Sequence, residues 1–529
     1  MLKLLLGGSG SGKTTLLYQR IRARAEAGEK SILLVPEQFT SSTEGRIHRE
    51  MGDALSGLVE SFSFTSLAAH ILSAEGGSAV QTLSDAGRAV LVRRALEELQ
   101  DNVHYYYRHR RSAAFCQMAA ETIDELKSAG LSGRQLYELA QDCGTDSAKL
   151  SELALIFQGY ETLLAGTGMD PSDRLELAAD RLEAALARGS LPEFLQDRAV
   201  FIDEFDTFNA PKKRLLAALL TALPQVTVAL CDDGAPLVPG DTGLFAGAKQ
   251  MAAQLRQLAR KSGTEAAAPE LLRRDLRHKD APGLAAVTRL LEGGSAEVRL
   301  FPAASREEEA RCAAAAIRRL MRQGVRCGKI AVVCRDIAKY RAAVRYEFRM
   351  ADIPLYCDEP TTPEFSAPAT AVRALLALLR GADMTEQLTV LAKTGLCALS
   401  EEQVCALENY AYTWSPNAAA WRAEFTKNPK GFGENELTDE DRQNLAWAED
   451  ARRKLVDAVD TLRGKVKGGN AEQISRAVYF CLKELGAEEQ QAGLVEDIRA
   501  ARGIPAAEEA AREWNVVMQL LDDEETELI

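Results

Sequence analysis

The chain has 529 residues, a formal net charge of −13 and 46% hydrophobic residues, which is ordinary for a folded protein and excludes wholesale disorder. Its acidic balance argues against a passive nucleic-acid coat. The ten cysteines lack metal-ligand spacing and no segment reaches the ~20 apolar residues of a membrane span, so we expect a cytoplasmic protein with reduced thiols and no membrane partner.

The first predicted domain combines residues 1–80 with residues 191–257. Short apolar runs alternate with helical periodicity in both stretches, which predicts a parallel sheet built from βαβ units. The predicted strands are Lys3–Leu6, Ser31–Val35, Val59–Phe64, Ala199–Ile202 and Val226–Leu230. The predicted helices include Thr14–Ala27 and Lys212–Leu223.

The remaining chain divides into four further predicted regions. Residues 81–190 have continuous helical periodicity and are predicted to be a helical insertion. Residues 258–295 are polar and rich in Arg, Gly and Pro, and are predicted to be a linker. A second α/β segment is predicted over 296–365, with strands Val298–Phe301 and Ile330–Cys334 around the helix Arg306–Arg322. Residues 366–529 are predicted to form a helical accessory region.

The strongest motif is a glycine-rich loop near the amino terminus. Gly7-Gly8-Ser9-Gly10-Ser11-Gly12-Lys13-Thr14 fits G-x-x-x-x-G-K-[ST] between a predicted strand and a predicted helix. Such a loop cradles phosphates with backbone N–H groups, so residues Gly7 to Thr15 are predicted to bind ATP. Lys13 would neutralise the β/γ-phosphates and Thr14 would ligate Mg²⁺. The alternative, a merely flexible glycine-rich start, does not explain the strand–loop–helix context.

A second acidic motif follows the predicted strand Ala199–Ile202. Asp203 lies at the carboxyl end of that strand, where α/β sheets bind ligands, and is predicted to hold Mg²⁺. Glu204 is placed to activate an attacking water, so Glu204 and Lys13 are the predicted catalytic residues. Taken alone, a strand that ends in two acids usually caps a turn; the phosphate-loop motif favours the functional interpretation.

A weaker signal combines aromatic and basic residues over Tyr105–Arg111. Single strands of nucleic acid bind by base stacking in positive grooves, which fits this composition. A solvated amphipathic segment fits it as well, and we favour that interpretation.

Several motifs resemble those of superfamily 1 helicases. Leu33–Thr40 and Ser61–Ala68 stand where these enzymes carry early DNA-contacting motifs, and Asp203–Asp206 is similar to their Asp-Glu-x-x box. Ile330–Asp336 and Ala351–Tyr356 resemble the opening of their second RecA-like domain. The ensemble, above all the glycine-rich loop and Val35–Phe39, is similar to the B subunit of AddAB-type helicase–nucleases.

The resemblance implies an α/β fold of P-loop, RecA-like parallel-sheet domains with large helical insertions. It implies an ATP- and Mg²⁺-dependent helicase–exonuclease that contacts single- and double-stranded DNA, pairs with an A-type motor subunit as a heterodimer, and processes double-strand breaks for recombinational repair. In the family, a carboxyl-terminal nuclease carries an iron–sulfur cluster held by cysteines. Neither that cysteine set nor the nuclease motif has a counterpart here, so we expect this chain to be the amino-terminal portion of such a subunit.

Two alternatives of other classes stay open. A stand-alone P-loop NTPase or kinase that does not act on DNA would carry the same phosphate loop, because many functions share such a fold. A non-hydrolysing, nucleotide-bound module that scans DNA would use ATP only as a structural or allosteric ligand.

Overall fold

A computed structural model of the chain describes residues 1–76, 82–278, 282–291, 301–357, 365–432 and 436–527. They belong to two compact units, Met1–Val298 and Arg299–Ile529. The first unit is α/β, and the second contains helices and no strand among its described residues.

A six-stranded sheet lies at the centre of the first unit. Its strands are β1 (Leu2–Gly7), β2 (Ser31–Leu34), β3 (Val59–Phe62), β4 (Ala199–Ile202), β5 (Gln225–Cys231) and β6 (Glu270–Leu272). They are ordered β3-β2-β4-β5-β1-β6, and every neighbouring pair is parallel. The predicted α/β fold is therefore confirmed. The strand predicted over Val59–Phe64 ends at Phe62, because the Ser63 hydroxyl caps the next helix.

The central strands are apolar on both faces because each face of the sheet is covered. Neighbouring residues of β1 point to opposite faces, so Leu4 packs into one core and Leu5 into the other. Ile202 and Phe201 of β4 divide in the same way. This two-sided burial holds the carboxyl ends of β1 and β4 at one edge of a rigid layer.

Twelve helices accompany the sheet within the described part of the first unit. They are α1 (Lys13–Glu26), α2 (Thr40–Met51), α3 (Asp53–Ser56), α4 (Phe64–Glu75), α5 (Asp85–Glu98), α6 (Ala113–Ser128), α7 (Gly133–Ala140), α8 (Ser147–Thr167), α9 (Pro171–Ala187), α10 (Ala210–Ala222), α11 (Ala246–Lys261) and α12 (Pro282–Leu291). Helices α5 to α8, which follow β3 and precede β4 in the chain, enclose a separate small core that includes Leu96 and Phe157.

The segment 258–295 differs from the predicted linker. Helix α11 runs to Lys261, and β6 pairs with β1 in the register Leu6 with Leu271. Leu271 and Leu272 pack against the cores on the two faces of the sheet. A strand of three residues inside an Arg- and Pro-rich stretch is too short to show a periodic pattern, so β6 could not be predicted from the sequence.

The second unit contains ten helices in its described residues. They are α13 (Arg306–Arg322), α14 (Ile337–Met350), α15 (Ala367–Leu379), α16 (Met384–Lys393), α17 (Glu401–Trp414), α18 (Ala418–Arg422), α19 (Asp439–Lys465), α20 (Ala471–Glu484), α21 (Ala487–Arg502) and α22 (Ile504–Glu527). Helices from α15 onward share one core in which Trp421 is fully buried, whereas α13 and α14 share a smaller one around Phe348. Among the described helices, none is both long and apolar enough to cross a membrane.

The second α/β segment is only partly as predicted. The predicted helix Arg306–Arg322 is α13. The strand predicted over Ile330–Cys334 is wrong: these residues pair with no strand, and Val333 is 92% exposed. An apolar run becomes a strand only where a neighbouring strand satisfies its backbone groups, and the described residues of this unit supply none. The other predicted strand, Val298–Phe301, lies outside the described residues except for Phe301.

Candidate nucleotide site

The predicted site residues meet in one cleft at the carboxyl ends of β1, β4 and β5. The cleft has a volume of about 410 Å³. Eight of the predicted residues line it: Ser9, Gly10, Gly12, Lys13, Thr14, Thr15, Asp203 and Glu204. Gly7, Gly8 and Ser11 complete the loop beside it, with Ser11 buried. A ligand-sized space at this edge of a parallel sheet is the usual position of α/β binding sites.

The loop depends on glycine at two positions with left-handed backbone. Gly10 has φ of 79° and Gly12 has φ of 92°. A Cβ at Gly10 would lie 2.8 Å from the Cβ of Arg277, and one at Gly12 would lie 2.8 Å from Leu276 Cδ1. Helix α1 then begins at Lys13, so the positive end of its dipole faces the loop. This is an arrangement suited to an anion.

Lys13 supplies the cation of the loop. Its Nζ donates hydrogen bonds to the carbonyl oxygens of Gly7 at 2.7 Å and Gly8 at 2.9 Å. Burial lowers the pKa of Lys13, an effect that Arg277 increases and that the neighbouring Cys231 and Asp203 oppose. A phosphate beside Nζ would compensate this desolvated charge.

Asp203 and Thr14 bring two oxygen donors together across the sheet. The carboxylate of Asp203 is only 6% exposed, accepts a hydrogen bond at 3.0 Å from the Glu204 N–H, and lines the same cleft as the Thr14 hydroxyl. Burial raises the pKa of Asp203, and the Thr14 hydroxyl, the Glu204 N–H, Lys13 and Arg46 counteract part of the rise. One hydroxyl and one carboxylate are a donor set that Mg²⁺ accepts when phosphate and water complete its shell.

Glu204 occupies a strained position at the mouth of the cleft. Its φ of 65° lies in the left-handed region, which is costly for a residue with a Cβ. Burial and the adjacent Asp203 raise the pKa of Glu204, while Arg46 and Arg277 lower it. A carboxylate held in this way, with a raised pKa and beside the loop, has the chemistry of a general base.

Five lining residues belong to neither predicted motif: Arg46, Ala229, Cys231, Leu276 and Arg277. Arg46 comes from α2 and stacks over the Tyr18 ring at 4.5 Å. The backbone N–H groups of Leu276 and Arg277 donate to the Gly10 carbonyl at 2.9 and 3.2 Å. The only sequence signal for this contact is the short strand β6, whose end carries the two residues to the loop.

The Tyr105–Arg111 segment lies on the helical insertion. Tyr105 is 45% exposed, and the guanidinium of Arg110 lies 3.9 Å from the Tyr107 ring centre. The carboxylate of Glu152 accepts the backbone N–H groups of residues 104 to 106. These internal contacts fit the favoured interpretation, a surface segment, and leave single-strand binding as the open alternative.

Fold and cleft together place the first unit in the class of parallel α/β proteins with a phosphate-type loop after the first strand. The chain belongs to the ADDB N-terminal family, whose sequence model matches residues 4–288, just over half of the chain.

Three similar proteins are each named as the B subunit of an ATP-dependent helicase/deoxyribonuclease. The protein from Moorella thermoacetica is 30% identical over 99% of this chain and 47% of its own length. Those from Desulforudis audaxviator and Heliobacterium modesticaldum are 30% and 28% identical, each over 98% of this chain and 47% and 44% of their own lengths. The chain thus spans about half the length of the curated relatives it matches, and the predicted resemblance to B subunits is confirmed.

Proposed function

We propose that this chain is the ATP-binding, helicase-like part of a heterodimeric helicase–exonuclease that processes DNA double-strand breaks for recombinational repair in the cytoplasm. One observation carries the nucleotide part of this proposal. Thr14 and Asp203, 189 positions apart in the chain, line one cleft beside a glycine-rich loop that contains the ammonium of Lys13.

In this proposal the loop from Gly7 to Thr15 binds the phosphates of ATP. The N–H groups at the start of α1 donate to phosphate oxygens, and Lys13 exchanges its bonds to the Gly7 and Gly8 carbonyls for contacts with the β/γ-phosphates. Thr14 and Asp203 hold Mg²⁺, which neutralises phosphate charge. Arg46 and Arg277 line the same cleft and add two positive charges opposite the carboxylates.

Glu204 is the proposed general base of hydrolysis. It accepts a proton from the attacking water, a role for which its raised pKa is an advantage. The guanidinium groups of Arg46 and Arg277 oppose that rise in the pKa of Glu204.

The names of the similar proteins support the parts of the proposal that concern DNA and a partner subunit. Their shared name contains the words helicase and deoxyribonuclease and marks each of them as a B subunit. We therefore propose single- and double-stranded DNA as substrates and an A-type motor subunit as the partner. We assign the nuclease and its iron–sulfur cluster to the half of the relatives that this chain does not match.

Lys13→Ala tests the nucleotide site. We expect ATP affinity, measured by calorimetry with Mg²⁺, to fall at least about 100-fold, because the variant removes the only cation inside the loop and its charge-assisted hydrogen bonds. Lys30→Ala is the matched control: it removes an exposed lysine next to the amino end of β2, away from the cleft. Unchanged ATP affinity in Lys13→Ala, or an equal loss in Lys30→Ala, would contradict the phosphate-loop assignment.

Glu204→Gln separates a hydrolase from a non-hydrolysing module. ATP turnover is measured in the complex with the A-type motor subunit and DNA, and the part of it that Lys13→Ala removes is attributed to this chain. We expect Glu204→Gln to bind ATP normally and to lose that part of the turnover by about 100-fold or more. Persistence of that part in Glu204→Gln would reassign the base. If the wild-type complex gives the same rate as one carrying Lys13→Ala, the nucleotide site of this chain does not hydrolyse ATP.

A further inference from the structure

Positive charge is concentrated in one stretch of the second unit. Residues 311–349, which run from the second turn of α13 through the connection to the last turn of α14, contain eleven Lys and Arg residues and only two Asp and Glu residues. The first turn of α13, with Glu307, Glu308 and Glu309, lies outside this stretch. The chain as a whole has a net charge of −13. We call this stretch the basic segment. Its charge is opposite to that of the protein that carries it.

Both acidic residues of the basic segment are already paired within it. The carboxylate of Glu347 accepts from Arg311 at 2.8 Å, and that of Asp336 lies 2.8 Å from the ammonium of Lys339. Across the residues that the structure describes, no carboxylate forms an ion pair with Arg322, Arg345 or Arg349, all of which are exposed. These charges are therefore available to an external anion.

Helix α14 presents its arginines and an aromatic ring to solvent on one side. Arg345 and Arg349 are four residues apart, so they lie on the same face and about 6 Å apart along the helix axis. Tyr346 is 62% exposed and lies next to this arginine row. The adjoining face, with Val344 and Phe348, packs against α13. Packing within the unit thus leaves the arginine face uncovered.

Helix capping explains only part of this charge. Basic residues in the last turn stabilise a helix dipole, and Arg322 and Arg349 occupy such positions. The connection between α13 and α14 also carries exposed Arg326, Lys329 and Arg335, which end no long helix. The positive charge of this connection therefore exceeds what stabilisation of the two helix dipoles requires.

We propose that the basic segment is a binding surface for single-stranded nucleic acid, in which exposed arginines contact successive phosphates and Tyr346 stacks on a base. Phosphate neutralisation gives most of the affinity of such surfaces, and aromatic rings add stacking that tolerates any sequence. The inference rests on the proposed function only in taking DNA as the polymer; the nucleotide cleft plays no part in it.

The test compares two triple variants of the 529-residue chain. The first is Arg322→Gln, Arg345→Gln and Arg349→Gln. The control is Arg94→Gln, Arg134→Gln and Arg453→Gln, which removes three exposed arginines that pair with carboxylates on their own helices. Binding of fluorescein-labelled (dT)20 is measured by anisotropy from about 50 to about 300 mM salt, without nucleotide. Circular dichroism checks that each variant is folded.

We expect the first triple variant to lose affinity for (dT)20 by about 10- to 100-fold at about 100 mM salt. Its slope of log affinity against log salt should be shallower by about 2, since each phosphate contact contributes about 0.7 for a single strand. The control variant should bind like the wild type. Equal affinities in the two triple variants overturn the inference, whether both are weakened or both are unchanged.

Tyr346→Ala tests the single-strand part of the proposal. We expect it to weaken (dT)20 binding about fivefold or more and to leave binding of a duplex of about 20 base pairs unchanged. Equal losses for both DNAs overturn the stacking role. Wild-type binding of polyglutamate as tight as that of (dT)20 overturns nucleic acid as the partner and favours an acidic protein.

ATP affinity, measured on the same preparations, keeps this inference separate from the proposed function. If the first triple variant binds (dT)20 as tightly as the wild type does, the role of the basic segment is refuted and the proposed function is not. A wild type that binds no DNA refutes both the inference and the DNA part of the proposed function, while leaving the nucleotide site to its own test with Lys13→Ala.

Discussion

The two units give different outcomes for the same kind of sequence signal. Ala199–Ile202 is a four-residue apolar run that ends before an acid, and it forms β4 between β2 and β5. Ile330–Cys334 is a similar run that ends before Arg335 and Asp336, and it forms no strand. The difference lies in the surroundings, since β4 pairs with a neighbour on both sides. An apolar run predicts a strand only together with the strands beside it.

The units also differ in how they distribute charge. In the first, carboxylates and cations are mixed within one cleft, so that Lys13 and Asp203 shift each other's pKa and Asp203 raises the pKa of Glu204. In the second, the basic segment collects charge of one sign. A mixed cluster suits a small ligand with a metal ion, and a single-sign surface suits a polymer of the opposite charge.

The largest expected effect tests whether the units unfold separately. Phe201 is fully buried in the sheet core, so Phe201→Ala should lower the free energy of unfolding of the first unit by about 3–5 kcal/mol. All four tryptophans, 414, 421, 447 and 514, lie in the second unit. In urea, the far-UV circular dichroism transition should shift while the midpoint of tryptophan fluorescence stays in place. Equal shifts of both signals would show that the two units unfold as one.

A corresponding substitution, Arg452→Met, should destabilise the second unit. Arg452 donates to the Glu449 carboxylate at 2.5 and 2.6 Å and to the Trp421 carbonyl at 2.9 Å. Arg452→Met removes one partner of a largely buried pair and should cost about 3 kcal/mol, seen as an earlier tryptophan fluorescence transition. Arg453→Met, which removes an exposed pair with Asp450, is the control and should leave that transition in place.

The smallest expected effect concerns the loss of stability that results from burying the Asp203 carboxylate in the cleft. Burial raises the pKa of Asp203 above 3.8, so the folded protein keeps this proton at pH values where the unfolded chain has lost it. Stability therefore falls as pH rises from about 3.8 through the folded pKa, and the loss remains at neutral pH. Asp203→Asn should then stabilise the first unit by about 0.5–2 kcal/mol at neutral pH, measured by urea denaturation.

The control for this prediction is Asp206→Asn, which changes an exposed acid of the same loop. Asp203→Asn should also weaken the effect of Mg²⁺ on ATP affinity, whereas Asp206→Asn should not. A less stable Asp203→Asn protein would show that the favourable interactions of the carboxylate, which include the hydrogen bond from the Glu204 N–H, outweigh its desolvation.

Much of the first unit could be predicted from sequence because its signals are local. The strands β1, β2, β4 and β5 consist mainly of apolar residues, β3 has an apolar residue at each end, and the loop between β1 and α1 is a contiguous motif. Asp203 and Glu204 were predicted to join that loop because parallel strands end at a common edge. The cleft brings them together, and their chemical roles stay a prediction.

The rest depended on contacts that no local pattern encodes. Arg46, Leu276 and Arg277 reach the cleft through tertiary packing, and β6 is a strand only because β1 is beside it. The charge of the basic segment was visible in the sequence. Its exposure and the pairing of its two acids became clear only from the packing of α13 on α14.

The two edge strands of the sheet affect how readily this protein aggregates. Its two outer strands are short, with four residues in β3 and three in β6. Short outer strands offer few free backbone groups to another molecule, and so limit aggregation by strand addition. The long, apolar β1 and β5 lie inside, where both neighbours are already taken. The strands most able to pair with another chain, β1 and β5, are therefore inaccessible to it.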